Sequence, residues 1–264
     1  MGKLPHPRVR LRDQTLFIRP MTLLPSRTKK SSPLITPQAY AKVVARGLKL
    51  PSKAVVCPIT PLVQALVKQG WKKRFLSADI YCNETADFCF ITGFGCGGPA
   101  VALAVEQAIV LGVKEIIFAG LAGSLQEEVL PGDIVVCTES ICADGTSPHY
   151  TSKELARADK KLTARLMQKL RAQKIDFHFG KNWSTDAIFR ETKAEIKHYQ
   201  KNHVLTADME TSALFAVCAR RKIPCAAAYV ISDCLGGGTW QPDFKNPQIW
   251  QNLRRLLLNL QQLF

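Results

Sequence analysis

From residue 36 onward, apolar runs alternate with amphipathic stretches. Thr36-Pro37 reads as a helix N-cap followed by proline at the first helical position, opening a helix to about residue 48. Residues 54–57 form a short β-branched strand, and a helix follows near 62–70. Residues 88–92 are an apolar strand, 93–98 a glycine turn and 99–111 a helix. Residues 115–119 are again a strand, ending in a second glycine turn at Gly120-Leu121-Ala122-Gly123. A strand follows at 133–138, then a long amphipathic helix at 152–173 capped by Ser152. Helices at 194–200 and 211–221, an apolar strand at 225–231 and a Leu-rich amphipathic helix at 247–264 complete the pattern. This alternation predicts an α/β sandwich around one largely parallel sheet. Residues 1–35, with Pro5, Pro7, Pro20, Pro25 and Pro33, read as an irregular arm before a single domain at 36–264.

Composition narrows the class. Hydrophobic residues make up 47% and charged residues 22%, as in packed globular proteins. No run reaches the ~18–20 apolar residues of a membrane helix. The nearest, residues 97–113, carries Glu106 and Gln107, so no membrane partner is expected. The net charge is +15, but residues 1–30 hold eight Lys/Arg against one acid, Asp13. The body lacks the basic face interleaved with aromatics that nucleic-acid binding needs. Its surplus of positive charge equally suits a phosphorylated small substrate. None of the nine cysteines stands in a Cys-x-x-Cys pair, and several lie in apolar runs, as in Val55-Val56-Cys57. Buried thiols in a reducing cytoplasm are expected, with no metal site. The Arg-rich arm is compatible with organelle targeting, or with a true start at Met21.

Candidate chemistry begins at Gly93-Phe94-Gly95-Cys96-Gly97-Gly98, a G-x-G-x-x-G turn between strand and helix. A dinucleotide site also needs an acid at the carboxyl end of the next strand. Here the acid, Glu115, precedes that strand, which instead runs into the second glycine turn. Two such turns on adjacent strands would form one crevice for a compact ligand. Asp208-Met209-Glu210 precedes a helix, and Asp233 ends an apolar strand before Gly236-Gly237-Gly238. Strand-end carboxylates beside glycines stand where α/β folds hold ligands. Each also has a purely structural reading: Asp208 as a helix cap, Glu210 as a dipole partner, Asp233 as a turn former.

These segments resemble the purine nucleoside and uridine phosphorylase superfamily, which also contains water-using nucleosidases. The likeness is carried in order by Thr92-Gly93-Phe94-Gly95, Gly120-Leu121-Ala122-Gly123-Ser124, Gly132-Asp133-Ile134-Val135, Asp144-Gly145-Thr146-Ser147-Pro148-His149, Ser184-Thr185-Asp186, Asp208-Met209-Glu210 and Ser232-Asp233. The resemblance implies a three-layer α/β sandwich whose mixed central sheet is flanked by helices, assembled as a homo-oligomer (dimer, trimer or hexamer). It implies cleavage of an N-glycosidic bond through an oxocarbenium-like centre, with no cofactor and inorganic phosphate as candidate co-substrate. By that likeness Glu210 binds ribose hydroxyls, Met209 packs on the sugar and Asp208 helps hold it. Asp233 would act as acid at the leaving base and favours a purine. Ile188 and Phe189 would cover the base, and Ala122, Gly123 and His149 would line the substrate. Gly93, Gly95, Gly120, Thr60 and Arg190 would serve the nucleophile side.

The sequence also departs from that pattern. The family's early phosphate turn contains aspartate and arginine, whereas here it reads Cys57-Pro58-Ile59-Thr60-Pro61-Leu62. The arginine expected before the second glycine segment is Phe118, and a Thr or Ser phosphate ligand becomes Leu121. Residues 57–67 equally lack the glutamate of the hydrolytic branch. Phosphorolysis, hydrolysis, and binding without turnover therefore stay open, phosphorolysis being favoured slightly. Arg190 reads either as a phosphate ligand or as a surface ion pair with Glu191 or Glu195, and His149 as a ligand or a loop-packing residue.

Overall fold

Phe88–Thr92 and Cys225–Cys234 owe their form to near-continuous apolar runs, which a strand can bury on both faces. The computed structural model describes residues 32–77 and 79–264, so nearly all of the basic arm lies outside the described residues. The fold is that of the unit Ile35–Phe264. Its strands are β1 (Lys53–Val56), β2 (Lys72–Ser77), β3 (Ile80–Glu84), β4 (Phe88–Thr92), β5 (Glu115–Ser124), β6 (Ile134–Ala143), β7 (Leu155–Arg157), β8 (His178–Thr185), β9 (Val204–Asp208), β10 (Cys225–Cys234) and β11 (Gln241–Pro242). Its helices are α1 (Pro37–Val44), α2 (Thr60–Leu66), α3 (Gly98–Val110), α4 (Lys160–Ala172), α5 (Lys193–Lys201), α6 (Thr211–Arg221) and α7 (Pro247–Gln261).

Alternation along the central strands builds three layers. Side chains of successive strand residues point to opposite faces. Thus Ile116 and Phe118 of β5, with Ala227, Tyr229 and Ile231 of β10, pack toward α3 and α6. Ile117 and Ala119, with Ala226, Ala228 and Val230, pack against leucines of α4 and α7. The sheet is mixed rather than largely parallel. β5 pairs parallel with β1 and β10 but antiparallel with β9, and β10 pairs antiparallel with β6. With the parallel pairs β6–β8 and β8–β9, the strands β5, β10, β6, β8 and β9 close into a ring.

Three further expectations are corrected. The segment Gly120-Leu121-Ala122-Gly123 is strand, not turn, because β10 and β9 both pair with the distal half of β5 and satisfy its backbone. β1 also lies between β4 and β5, so the two glycine segments are not on adjacent strands. The helix expected over 152–173 starts only at Lys160. The Asp159 side chain accepts from Leu162 N–H at 2.8 Å and caps it, while 155–157 pairs with β6 as β7. The Thr36 cap of α1 is as expected, accepting from Ala39 N–H at 3.1 Å.

Candidate active site

The chain leaves β4 through the first glycine turn. Gly93 has φ +81°, and a Cβ there would stand 2.1 Å from the carbonyl oxygen of Asp79, so only glycine fits. Thr60, the first residue of α2, braces this turn: its Oγ1 accepts from Gly93 N–H at 3.1 Å and lies 2.9 Å from Thr92 Oγ1. Gly95 and Gly97 also have positive φ. Gly97 N–H donates to Glu210 Oε1 at 2.5 Å, joining turn and acid directly. Glu210 is buried at the start of α6. Burial, and then the charges of Asp208 and Asp186, push its pKa up to about 7 against the pull of the Gly97 bond. Met209 beside it is half-buried.

Asp208 is enclosed by protein donors. Oδ1 accepts from Ser184 Oγ at 2.5 Å and Asn182 Nδ2 at 2.7 Å, and Oδ2 from Thr211 N–H at 3.0 Å and Thr211 Oγ1 at 2.5 Å. Four donors match the acceptor capacity of a carboxylate. Burial nevertheless raises its pKa, with those donors opposing. It stands two residues before the N-cap Glu210 and accepts from the first N–H of α6. Asp144 continues the network by accepting from Ser147 and Ser212. Asp186 Oδ2 accepts from Gly145 N–H at 2.6 Å.

The second acid lies across β5. Asp233 is paired with Gly123 in the β10–β5 register, and Ala207 of β9 faces Gly123 from the other side. A Cβ on Gly123 would come 3.2 Å from Asp233 Oδ2, so glycine makes room for the carboxylate. Ser232 Oγ donates to Oδ1 at 2.6 Å and Trp240 Nε1 to Oδ2 at 2.9 Å. Ala122 is buried and faces Ile231. Gly120 faces Tyr229, and both it and Gly93 stand two residues beyond positions that β1 aligns, Phe118 and Ile91. Phe118 is wholly buried and packs edge-on against Tyr229, so an aromatic ring fills the place where the resemblance expects arginine.

The structure thus joins Glu210 to the first glycine turn and Asp233 to β5, with β9 and β10 flanking one strand end. Ile188, Phe189 and Arg190 form a 3-10 turn after β8, with Phe189 95% exposed. Among the described residues Arg190 makes no ion pair, so the alternative reading of it as a surface pair with Glu191 or Glu195 is not what the structure shows. His149 is exposed in the turn Ser147–His149. Two residues near these segments were given no part in the site by the sequence reading. Trp240 was legible only as an aromatic following the glycine run after Asp233. Glu191 is half-buried, and burial, with the charges of Asp233 and Glu195 adding to it, pushes its pKa up to about 7. All nine cysteines are free, and burial pushes the Cys57 thiol up to about 12. Among the described residues there is no cluster of three metal-ligating side chains, and no helix is long and apolar enough to cross a membrane.

Comparison with known proteins agrees with this geometry. The chain is 31% identical over 150 residues to an uncharacterized protein of Acanthamoeba polyphaga mimivirus, covering 56% of this chain and 58% of that protein. It is 30% identical over 174 residues to a guanosine phosphorylase of Halorubrum lacusprofundi, covering 66% and 70%. It is 29% identical over 176 residues to a uridine phosphorylase of Salmonella typhimurium, covering 61% and 69%. The match to the mimivirus protein thus spans little more than half of that relative's length. A crystal structure of uridine phosphorylase from Vibrio fischeri superposes with a TM-score of 0.72 at 20% identity, over 88% of this chain and 98% of that one, so the folds coincide. Residues 54–260 match the sequence profile of the Phosphorylase superfamily, and with the mixed sheet and glycine-bound acid already described, the chain belongs to that superfamily.

Proposed function

We propose that this protein cleaves the N-glycosidic bond of a purine nucleoside, with inorganic phosphate as the attacking co-substrate. The observation that carries the reading is the hydrogen bond from Gly97 N–H to Glu210, which holds a buried acid against a glycine turn. An oxocarbenium-like centre needs its ribose hydroxyls gripped and its leaving base relieved of negative charge. In this reading the Glu210 carboxylate accepts from the ribose hydroxyls, and Met209 packs on the sugar. Asp233 bonds the departing base, a step worth about 10²–10⁴-fold in rate. Phosphate would meet the turn at Gly93 and Gly95, the Thr60 hydroxyl and Arg190. The named relatives divide between a guanosine and a uridine phosphorylase, and Asp233 favours the purine side here.

A water-using reaction is the second reading, supported by the buried Phe118 and the uncharged Cys57-Pro58-Ile59-Thr60 segment. Without arginine, phosphate loses charge-assisted bonds of roughly 1.5–3 kcal/mol each. Release of free base from inosine, adenosine, methylthioadenosine and uridine, followed against phosphate concentration, separates the two. The proposal expects purine release that rises with phosphate. Release indifferent to phosphate means hydrolysis, and binding without release means that turnover is lost.

A further inference from the structure

The two oxygens of Asp233 are held differently. Oδ1 accepts from its chain neighbour, Ser232 Oγ, at 2.6 Å. Oδ2 accepts from Trp240 Nε1 at 2.9 Å, seven residues further on. Oδ2 is also the oxygen that borders β5, since a Cβ on Gly123 would stand 3.2 Å from it. The indole thus occupies the carboxylate oxygen at the strand end that β9 and β10 flank. The backbone on both sides of this indole is fixed. Gly236 is wedged against residues 125–127, where a Cβ would stand 3.0 Å from backbone atoms, and its carbonyl oxygen accepts from Gln200 Nε2 at 2.8 Å. After the turn at Gly238, β11 returns with Pro242 facing Asp233 and Gln241 facing Cys234, and Asp243 N–H donates to the Ser232 carbonyl oxygen at 3.1 Å. The Trp240 side chain itself is loosely held. It is 61% exposed, its aromatic neighbour Phe244 lies 6.3 Å away and is also exposed, and its one donor goes to Asp233. Rotation of the side chain therefore frees Oδ2 without unpairing β11.

An indole is a fused five- and six-membered aromatic frame with a single N–H on its five-membered ring. A purine that leaves through N9 with hydrogen on N7 has the same frame and the same donor. We propose that Trp240 stands in the place of the leaving base: its N–H holds Oδ2 of Asp233 as the N7–H of a departing purine does, and indole and base exchange on that oxygen. The inference rests on the nucleoside-cleaving reading and deepens it. In the free protein the indole keeps Oδ2 partnered, while Ser232 keeps Oδ1. A purine binds only where the indole has swung away, so its apparent affinity is reduced by the fraction of molecules in that state. As the base leaves, the indole returns and opposes rebinding. Trp240 acts on the base through Asp233 and is therefore a positioning residue.

The test is the nitrogen-15 indole spectrum of the native protein, Trp240→Phe and Asp233→Asn during titration with hypoxanthine, beside hypoxanthine binding and the kinetics of inosine cleavage. The chain has four tryptophans, and the Trp240 signal is assigned by its loss in Trp240→Phe. That signal should shift in Asp233→Asn, and in the native protein it should move on saturation with hypoxanthine to the position of a water-exposed indole. Trp240→Phe keeps a ring and removes the donor. It should bind hypoxanthine about threefold to tenfold more tightly and lower the inosine KM by a similar factor, with kcat changed less than about twofold. Trp240→Ala should tighten hypoxanthine binding likewise, whereas loss of a merely structural residue would not tighten it. A Trp240 signal unmoved by saturating hypoxanthine, or Trp240 variants that bind no more tightly than the native protein, overturns the proposal. If hypoxanthine displaces the indole but no nucleoside is cleaved, the function assigned above fails and this inference stands. Binding seen only in the Trp240 variants also supports it. If neither the native protein nor either variant binds hypoxanthine, both fail.

Discussion

Asp208 and Asp233 are the same side chain near the ends of two strands that flank β5, yet they do opposite things. Ala207 and Asp233 both face Gly123, so the two acids start from nearly the same level of the fold. Asp208 is taken up by four protein donors and anchors the first turn of α6. Asp233 has two donors, one of them the indole of the exposed Trp240. A carboxylate whose acceptor sites are filled from within holds structure, whereas one held by a movable group can exchange that partner for a ligand. The difference teaches that the residues around an acid, rather than its place at a strand end, assign its role.

Asp208→Asn separates these roles most sharply. It replaces one accepting oxygen by an amide that only donates, facing two of the four donors, and should cost about 3 kcal/mol of stability by urea unfolding. Retention of native stability would mean that the network is dispensable. Asp233→Asn should do the reverse, lowering purine release by about 10²–10⁴-fold with an unchanged melting temperature. Loss of folding there would erase the contrast with Asp208.

Glu210 sharpens the comparison through pH. Its folded pKa, about 7, lies above the 4.5 of an unfolded glutamate. The sign follows: the stability linked to its protonated form is full below about pH 4.5 and is lost as pH rises through 7, a loss of order 3 kcal/mol. Glu210→Gln should therefore reduce the fall in melting temperature between pH 5 and pH 8, while raising the nucleoside KM. In the native protein that KM should rise as pH falls below 7, because the anion proposed to accept ribose hydroxyls is titrated away. The smallest effect is expected for the exposed Arg190. Arg190→Ala should raise the phosphate KM several-fold and leave the nucleoside KM unchanged, and an unchanged phosphate KM would remove it from the nucleophile side.

What could be read from the chain follows local physics. Residues 88–92 and 211–221 carry their signal in their own side chains, one an apolar run and one an apolar helical face, and both elements lie where expected. Edge strand β2 was missed because Lys72, Lys73 and Arg74 are exposed and give it no apolar signature. β8 was missed because Gly180-Lys181-Asn182 interrupts its pattern, and Asn182 is buried in a polar network with Ser140, Ser184, Thr206 and Asp208. The strand through Gly120 and Gly123 was read as a turn because glycines punctuate sequences. In the fold Gly123 gives room to the Asp233 carboxylate and Gly120 to the Phe118 ring, and two long-range pairings keep the chain extended. Glycine turn, Glu210 and Asp233 were legible as motifs. Trp240 was not, since its part depends on the chain after β10 folding back onto Asp233.

The most direct measurement is a crystal structure of the protein soaked with a purine nucleoside and phosphate. The account predicts one nucleoside spanning the two acids, its ribose hydroxyls on Glu210 beside Gly97 and its base edge on Asp233, with the Trp240 indole displaced. A nucleoside bound elsewhere, or one touching Glu210 while Asp233 keeps both present partners, would contradict it.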